Sequence, residues 1–324
     1  MRVFRHHTGL PDDSRGAVVV VGNFDGVHRG HQEVISHARE IARAERLPLA
    51  VLTFEPHPRS HFQPDIEPFR LTPFRTKARH LEAMGVEIIY VLHFDEAFSL
   101  ITASRFVAEI LVGGVDARHV VVGYDFRFGH GRAGDSGFLA EEARRNGFRV
   151  SIVDPVADPE ERVYSSSLIR DLLQRGHPAR AAALLGHLWE IEGRVETGDR
   201  RGRAIGFPTA NIDIADYLRP AGGVYVARAG IDVGAATAWH DGVANLGTRP
   251  TVDGSRLLLE VHLFDFAEDL YGRHLRVALV DHLRPEGKFT SLDALKEQIA
   301  RDCRQARQLL AARAIDAGEV VGAP

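Results

Sequence analysis

Four consecutive valines that lead into a glycine-rich loop constrain the fold of this chain more than any other feature. Residues 18–21 are all valine, residues 22–26 read Gly-Asn-Phe-Asp-Gly, and His28 and His31 follow shortly after. Apolar residues then recur at helical spacing over residues 32–46. The pattern predicts a buried strand, a tight loop and a helix, with both histidines at the N-terminus of the helix.

This position of the two histidines favours phosphate chemistry over metal binding. Free backbone N–H groups and the helix dipole attract anions to a helix N-terminus. The imidazoles of His28 and His31 can donate hydrogen bonds to phosphate oxygens and stabilise charge that develops as a phosphoryl bond breaks. Zinc is the weaker alternative, because two histidines without a nearby cysteine form an incomplete ligand set. Ordinary surface histidines beside a common glycine turn are the remaining alternative.

Composition indicates a globular chain of two domains. Its 324 residues fit two domains of about 150 residues each. The formal net charge of −4 gives no overall basic field that would attract nucleic acid. The N-terminus lacks the apolar core of a signal peptide, and no apolar run approaches the ~20 residues of a membrane span. We expect a cytoplasmic protein without membrane or nucleic-acid partners, with a monomer favoured, and the single Cys303 fits a reducing compartment.

The first half of the chain alternates strands with helices. Short apolar runs predict strands at Ala17–Val21, Leu49–Phe54, Val86–Phe94, His119–Gly123 and Phe148–Val153. Helical periodicity predicts helices near residues 31–46, 76–84, 102–112 and 136–146. The alternation indicates a Rossmann-like α/β domain over residues 1–186, with a parallel sheet that binds ligands at the carboxyl ends of its strands.

The second half has a different pattern. Helical periodicity is absent from residue 187 to about residue 291, and β-like runs are found at Val224–Ala229, Ala235–Trp239, Leu257–Phe264 and Leu275–Val280. Successive short strands separated by turn residues predict an antiparallel β-barrel or sandwich, and we expect the β-barrel. An apolar stripe after residue 291 adds a C-terminal helix, so residues 187–324 are predicted to form the second domain.

Three further polar segments of the first half carry candidate functional groups. Residues 53–59 leave a strand through two prolines, which indicates either a stiff ligand loop or a plain rigid turn. Residues 122–129 carry three aromatic rings, which can stack on a planar ligand or cover a sheet edge. Residues 165–167 are serines, and Arg170 follows them. They suit a polyphosphate clamp, although serine is also a common helix cap.

The second half contains its own phosphate-type motif. Residues 193–211 are punctuated by glycine but precede no helical pattern, so they match neither a P-loop nor a dinucleotide fingerprint. Thr209 and Asn211 stand two residues apart on an extended segment and therefore point to the same side. A hydroxyl and an amide oxygen in this arrangement suit Mg²⁺ and phosphate.

A carboxylate interrupts an apolar run further along. Glu260 lies within residues 257–264, which are otherwise mostly apolar. A carboxylate in such a setting has either a task or a partner, or it faces water from an edge strand. Residues 242–251 are predicted to form another loop with a polar tip.

These segments resemble the signature sequences of the bifunctional bacterial riboflavin kinase/FAD synthetase family. The resemblance to the FMN adenylyltransferase module, a His-x-Gly-His nucleotidyltransferase, lies in residues 22–31, 53–59, 123–129 with Arg132 and Asp135, and 165–170. The resemblance to the riboflavin kinase module lies in the Gly-Phe-Pro-Thr-Ala-Asn segment, the Asn-x-Gly-x-x-Pro-Thr segment, Glu260 and residues 283–289.

For the first half, the resemblance implies transfer of AMP from ATP to FMN. His28, His31 and Arg170 would be catalytic and stabilise the α-phosphate while the FMN phosphate attacks and pyrophosphate leaves. The implied ATP or phosphate ligands are Gly22, Asn23, Asp25, Gly30, Ser165, Ser166 and Ser167. The implied flavin-side residues are His57, Pro58, Tyr124, Asp125, Phe126 and Phe128.

For the second half, the resemblance implies phosphorylation of riboflavin by ATP with Mg²⁺ as cofactor. Thr209 and Asn211 would hold Mg²⁺ and ATP together with Gly206. Glu260 would be the general base for the riboflavin 5′-hydroxyl. The implied flavin-binding residues are Asn245 and Arg284. This sequence departs from the family at Gly287, where a larger polar residue is common, and in having Tyr164 before the serines.

Two other functions compete with the synthesis of FMN and FAD. A riboflavin kinase could be fused to a nucleotidyltransferase domain with a different acceptor, because the His-x-Gly-His motif specifies neither the nucleotide base nor the acceptor molecule. A flavin-binding regulatory protein without turnover is the second alternative. The presence of His28, His31, Thr209, Asn211 and Glu260 argues against it.

Overall fold

A computed structural model describes residues 1–157, 163–196, 205–233, 236–251 and 254–317. Contacts divide the chain into two units, the first made of Met1–Glu67 and Thr72–Ser166 and the second of Pro68–Leu71 and the chain from Ser167 onward. The functional boundary expected after residue 186 stays a prediction. Residues 197–204 of the glycine-punctuated motif, and the first residue of the strand predicted at Ala235–Trp239, lie outside the described residues.

The first unit is an α/β domain. Its strands are β1 (Arg2–Phe4), β2 (Val18–Val21), β3 (Leu49–Glu55), β4 (Ile88–His93), β5 (His119–Gly123), β6 (Arg127–Phe128), β7 (Gly134–Asp135) and β8 (Arg149–Val153). Its helices are α1 (Arg29–Glu45), α2 (Pro58–Phe62), α3 (Phe74–Ala83), α4 (Glu96–Ser99), α5 (Ala103–Arg105), which continues as a π-helical turn over Phe106–Val112, and α6 (Ser136–Asn146). Six strands pair in parallel in the order β1-β4-β3-β2-β5-β8, and β6 pairs with β7. The predicted Rossmann-like sheet is confirmed.

Strand β2 shows why this sheet is covered on both faces. Val18 and Val20 pack in one cluster with α1, whereas Val19 and Val21 pack in a second cluster with α6. Successive strand residues point to opposite faces, so a strand buried on both faces is apolar throughout. The strand order reverses between β2 and β5, and an α/β sheet binds its ligands at this switch point. The loop after β2 opens there.

The second unit is an antiparallel barrel with helices. Its helices are α7 (Ser166–Gln174), whose first residue groups with the first unit, α8 (Pro178–Leu185) and α9 (Leu292–Ala317). Its strands are β9 (Trp189–Arg194), β10 (Ala210–Asp213), β11 (Gly223–Val233), β12 (Ala236–Thr251), β13 (Gly254–Leu263) and β14 (His274–Arg284), in the order β10-β13-β12-β11-β14-β9. An antiparallel bridge between Glu196 and Asn211 joins the two edges of this sheet. The predicted barrel and C-terminal helix are confirmed.

The prediction of a loop over residues 242–251 is wrong. Strand β12 runs through this segment and pairs with β13 without interruption, from Gly242 opposite Leu263 to Thr251 opposite Gly254. Glycine, asparagine and proline favour turns locally. In this segment, hydrogen bonds to β13 satisfy the backbone N–H and C=O groups of an extended strand. Tertiary pairing therefore overrides the local preference.

Gly223 at the start of β11 permits a close approach of two backbones. Its φ is +137°, and a Cβ there would overlap the carbonyl oxygen of Arg284 and lie 2.7 Å from His282 Nε2. We expect Gly223→Ala to lower the free energy of unfolding by about 3 kcal/mol, because the backbone carbonyl cannot move aside. Urea unfolding measures the loss.

Gly272→Ala is the matched control for this substitution. Its φ is +72°, but no described atom lies within 4 Å of a Cβ there. In Gly272→Ala only the strain of a left-handed backbone remains, which lowers the free energy of unfolding by about 1 kcal/mol. Equal losses in the two variants would contradict the importance of close packing at Gly223.

Candidate active sites

The loop between β2 and α1 is fixed by buried polar contacts. Asp25 is 2% exposed, and its Oδ1 accepts a hydrogen bond of 3.0 Å from the backbone N–H of Thr72. The Thr72 hydroxyl accepts from the N–H of Gly26 at 2.8 Å, and the Ser166 hydroxyl donates to the Asp25 carbonyl at 2.8 Å. The structure thus places the Asp25 carboxylate where it anchors the loop, and its binding of ATP stays a prediction.

These contacts hold a backbone that is strained. Phe24 and Val27 have φ values of +50° and +42°, in the left-handed region that side chains with a Cβ adopt at a cost. Both side chains are buried, so packing holds them in place. The Asn23 side chain is exposed, and the Asn23 carbonyl accepts a hydrogen bond of 3.4 Å from the Thr53 hydroxyl. The loop shape is therefore set without a ligand.

The two histidines stack on each other at the start of α1. His28 is the N-cap residue, and its Nδ1 accepts from the backbone N–H of His31 at 3.4 Å. The ring centroids are 3.6 Å apart with an angle of 20° between the planes. A Cβ on Gly30 would lie 3.2 Å from the His28 ring, which explains the small residue between the histidines. Gly22 begins the same loop, and its N–H donates to the Leu52 carbonyl at 3.1 Å.

The environment keeps the His31 ring neutral. Burial first, and then the positive charges of His28 and Lys77, lower the pKa of His31 well below its ordinary value. The Nδ1 of His31 is buried and has no hydrogen-bond partner in the described part of the chain. A polyphosphate would supply negative charge and acceptor oxygens, which are the groups that this apolar, cation-flanked setting lacks.

The segment after β3 is more ordered than predicted. Strand β3 continues to Glu55 and α2 begins at Pro58, so residues 53–59 are not an open loop. His57 is buried and caps α2, with its Nδ1 accepting from the N–H of Arg59 at 3.1 Å. Proline suits the first turn of a helix because its missing N–H is not needed there.

The aromatic segment after β5 divides into exposed and buried residues. Tyr124 is 46% exposed and Asp125 is exposed, so both are accessible to a ligand. Phe126 stacks on Phe128 with ring centroids 5.2 Å apart, and the buried Phe128 packs against Phe106. Core packing accounts for Phe128 in this structure, and its role in flavin binding stays a prediction.

The serine and arginine segment is divided between the two units. Ser165 is half-buried, Ser166 begins α7, and Ser167 is exposed at the start of the second unit. Arg170 also groups with the second unit, where its Nε donates to the Phe69 carbonyl at 2.9 Å and its guanidinium lies 5.4 Å from the Phe69 ring centre. The predicted roles of these residues in holding phosphate stay predictions.

Sequence reasoning missed one buried cation near the loop between β2 and α1. Lys77 on α3 is 0% exposed, and its Nζ lies 3.1 Å from Glu55 Oε1 and 3.4 Å from Thr53 Oγ1. A lysine four residues before the buried Leu81, on the apolar face of a helix, was the signal for it.

In the second unit, strand register aligns four predicted residues. Asn211 lies opposite Glu260, and Glu260 lies opposite Asn245. Asn245 lies opposite Val224, which in turn lies opposite Arg284. Directly opposed residues point to the same face of a sheet. We call Asn211, Glu260, Asn245, Val224 and Arg284 the cross-strand row.

All members of the cross-strand row except Asn211 line a cavity of about 400 Å³, a size within the range of small-molecule sites. The residues that line the cavity include Phe207, Thr209, Asn245, Glu260, Arg284 and Phe289. Arg284 is fixed by Asp302, whose buried carboxylate accepts from its Nη2 at 2.8 Å and from the Gln298 amide at 2.8 Å. The cavity therefore combines apolar walls with a few oriented polar groups.

The donor set near Asn211 fits Mg²⁺. The Asn211 Oδ1 atom is buried and has no hydrogen-bond partner among the residues that the structure describes. An amide oxygen and the Thr209 hydroxyl are hard oxygen donors of the kind that Mg²⁺ prefers. Gly206 lies before them in a left-handed conformation with φ of +91°.

Together, the stacked imidazoles at a helix N-terminus and the carboxylate in a small-molecule cavity fit a two-site transferase. Residues 10–167 match the FAD synthetase family, and residues 185–310 match the riboflavin kinase family. In the part of the chain that the structure describes, no helix has the length and apolar character to cross a membrane.

Individual relatives agree with both family matches. The bifunctional riboflavin kinase/FMN adenylyltransferase of Escherichia coli strain K12 is 44% identical over 293 residues, which cover 90% of this chain and 92% of that protein. The protein of the same name from Bacillus subtilis strain 168 is 36% identical, covering 93% of this chain and 94% of that protein. A crystal structure described as a macrolide-efflux protein from Streptococcus pneumoniae is 33% identical with a TM-score of 0.81, covering 93% of this chain and 96% of that one. The chain belongs to the bifunctional riboflavin kinase/FMN adenylyltransferase family.

Proposed function

We propose that the second unit phosphorylates riboflavin to FMN and that the first unit transfers AMP from ATP to FMN to form FAD. The observation that carries this proposal is the cross-strand row, which aligns Glu260 with Asn211 and Asn245 beside a cavity of about 400 Å³. Membership of the family supports both reactions.

In the kinase reaction, Glu260 accepts the proton of the riboflavin 5′-hydroxyl as that oxygen attacks the γ-phosphate of ATP, and ADP leaves as the bond between the γ-phosphorus and the β–γ bridging oxygen breaks. A positioned general base of this kind contributes about 10²–10⁴-fold to a rate. Asn211 and Thr209 would hold Mg²⁺, which offsets phosphate charge when it is bound. Asn245 and Arg284 orient the flavin, and the Asp302 carboxylate keeps the Arg284 guanidinium in place.

In the adenylyl transfer, a phosphate oxygen of FMN attacks the α-phosphate of ATP and pyrophosphate leaves. No covalent enzyme intermediate is needed, because the reaction depends on positioning and electrostatic stabilisation. The N-terminus of α1 and the imidazoles of His28 and His31 stabilise the charge that develops on the α-phosphate. The fixed loop conformation supports this role, because donors that are already oriented need little reorganisation during the reaction.

We further propose that the protein is a cytoplasmic monomer that takes only small-molecule partners. Its net charge of −4 gives no overall attraction to nucleic acid. Its single cysteine cannot form a disulfide within the chain, which suits a reducing compartment.

Incubation with riboflavin, ATP and Mg²⁺, followed by chromatography, tests the two reactions together. We expect FMN to form first and FAD to follow, and chelation of the metal to stop the kinase step. FMN without FAD would favour a nucleotidyltransferase domain with another acceptor. Flavin that is bound but unchanged would favour a binding protein without turnover.

Gly287 offers a test of the flavin-side segment. A Cβ there would make ordinary contacts with Phe289 at 3.7 Å and Arg284 at 3.8 Å, and its φ is outside the left-handed region. We expect Gly287→Ala to raise the free energy of unfolding by about 0.5 kcal/mol, because the unfolded chain loses freedom. We also expect the KM for riboflavin to fall, because the segment beside the cavity becomes stiffer. A loss of stability together with a higher KM would contradict both expectations.

A further inference from the structure

A buried ammonium group lies behind the phosphate loop of the first unit, where no family motif quoted above places a functional residue. The Lys77 Nζ contacts Glu55 Oε1 at 3.1 Å and Thr53 Oγ1 at 3.4 Å, and the side chain is fully buried. Burial of a charge is costly even when it is paired, so a buried ion pair is weak evidence for a purely stabilising role.

The identity of this cation is unusual in this chain. Of 40 basic residues, only three are lysines, at positions 77, 288 and 296. Lys288 is exposed and Lys296 half-buried, so Lys77 is the one fully buried lysine. An ammonium is a compact charge with donors that can point in several directions, whereas a guanidinium is a wide planar fork. The chain thus has, at this buried position, one of its few lysines.

Lys77 is connected to the loop through two short routes. The Thr53 hydroxyl, which Lys77 contacts, donates to the Asn23 carbonyl at 3.4 Å. Thr72, five residues before Lys77, contacts both Asp25 and Gly26. Thr72 therefore holds the loop at Asp25 and Gly26, and Lys77 reaches it at Asn23 through Thr53.

The charge of Lys77 also acts on the catalytic imidazole. The charged groups that act on His31 are His28 on α1 and Lys77 on α3, and both lower its pKa after burial itself. Glu55 on β3 is the ion-pair partner of Lys77. Lys77 thus contributes positive potential behind the ring without contacting the surface.

We propose that Lys77 is a positioning residue for adenylyl transfer, which fixes the Asn23 carbonyl through Thr53 and supplies positive potential behind His31. The proposal rests on the proposed function of the first unit. Its consequence is a loop that is already shaped for the polyphosphate before any residue moves.

Lys77→Met tests this proposal. We expect the kcat of FAD formation from FMN to fall about 100-fold, as when reacting groups are misplaced by about 1 Å, with little change in the KM for ATP. We also expect NMR titration of the His31 ring to give a higher pKa than in the unaltered protein, because one positive charge has been removed. FMN formation by the same chain should stay unchanged.

Three further variants separate positioning from folding. Arg75→Met removes an exposed cation from the same helix and should leave both reactions unchanged. The double variant Lys77→Met with Glu55→Gln removes both charges of the ion pair, so stability should recover while FAD formation stays low. Recovery of FAD formation with stability would overturn the proposal, as would an unchanged kcat in Lys77→Met. If His28→Asn also formed FAD normally, the proposed site itself would be wrong.

Discussion

Replacement of Glu260 by glutamine should lower the kcat of FMN formation by about 10³-fold, because an amide cannot accept the proton of the attacking hydroxyl. The substitution keeps the size of the side chain, and the register that sets Glu260 between Asn211 and Asn245 depends on backbone pairing. The cavity should therefore keep its shape and its affinity for flavin. Chromatography of products from riboflavin measures the loss, and separate assays with added FMN should show FAD formation unchanged.

Glu268→Gln is the matched control for this prediction. Glu268 carries the same charge in the same unit, is 74% exposed at its side chain and pairs with Arg273. Exposed ion pairs contribute little, so both reactions should continue at their original rates. A Glu260→Gln variant that still formed FMN at more than a tenth of the original rate would show that another group accepts the proton.

Replacement of His28 by alanine should abolish most FAD formation from FMN and leave FMN formation intact. Removal of one oriented donor to developing charge costs about 10²–10³-fold in kcat. His28 also stacks on His31 at 3.6 Å, so its loss frees the second imidazole to move and adds to the defect. Assays with FMN and ATP measure FAD formation, and assays with riboflavin and ATP measure FMN formation.

A cap-preserving variant separates chemistry from helix stability in this second prediction. His28 is the N-cap residue of α1, and loss of a cap costs about 1 kcal/mol of stability. Asparagine is among the best N-cap residues, so His28→Asn should recover stability but not activity. His37→Ala on the exposed side of α1 is the control and should affect neither reaction. If His28→Ala stopped both reactions in folded protein, the two sites would not be independent.

The elements of the first unit could largely be predicted from the sequence, for a physical reason. A parallel strand buried on both faces is an uninterrupted apolar run, so β5 was predicted at His119–Gly123, as the structure has it. Helix α6 likewise matches the prediction over residues 136–146. Strand β1 at Arg2–Phe4 was missed because it is a mostly exposed edge strand without such a run. A local apolar pattern indicates that a segment is buried, and β1 is too exposed to show such a pattern.

The second unit was harder to predict. Its strands are long, and β12 passes through residues that favour turns. The same difficulty hid α8, a short helix over Pro178–Leu185 that the sequence pattern did not distinguish. Partners distant in sequence decide whether such segments extend or turn, and no local window contains those partners.

The sequence by itself determined which chemistry is present. The glycine loop after four valines, the paired His28 and His31, and the carboxylate of Glu260 are all visible in order along the chain. Side-chain periodicity follows from backbone geometry, so it also determined which faces are apolar.

Only the tertiary structure decided which of these groups meet. Register aligns Asn211, Glu260 and Arg284 across the barrel, although each lies on a strand far from the others in sequence. Strand register depends on pairing between distant segments, and a shift of one residue would turn every side chain to the opposite face. The burial of Lys77 is decided in the same way, because it depends on α3 packing beside the end of β3.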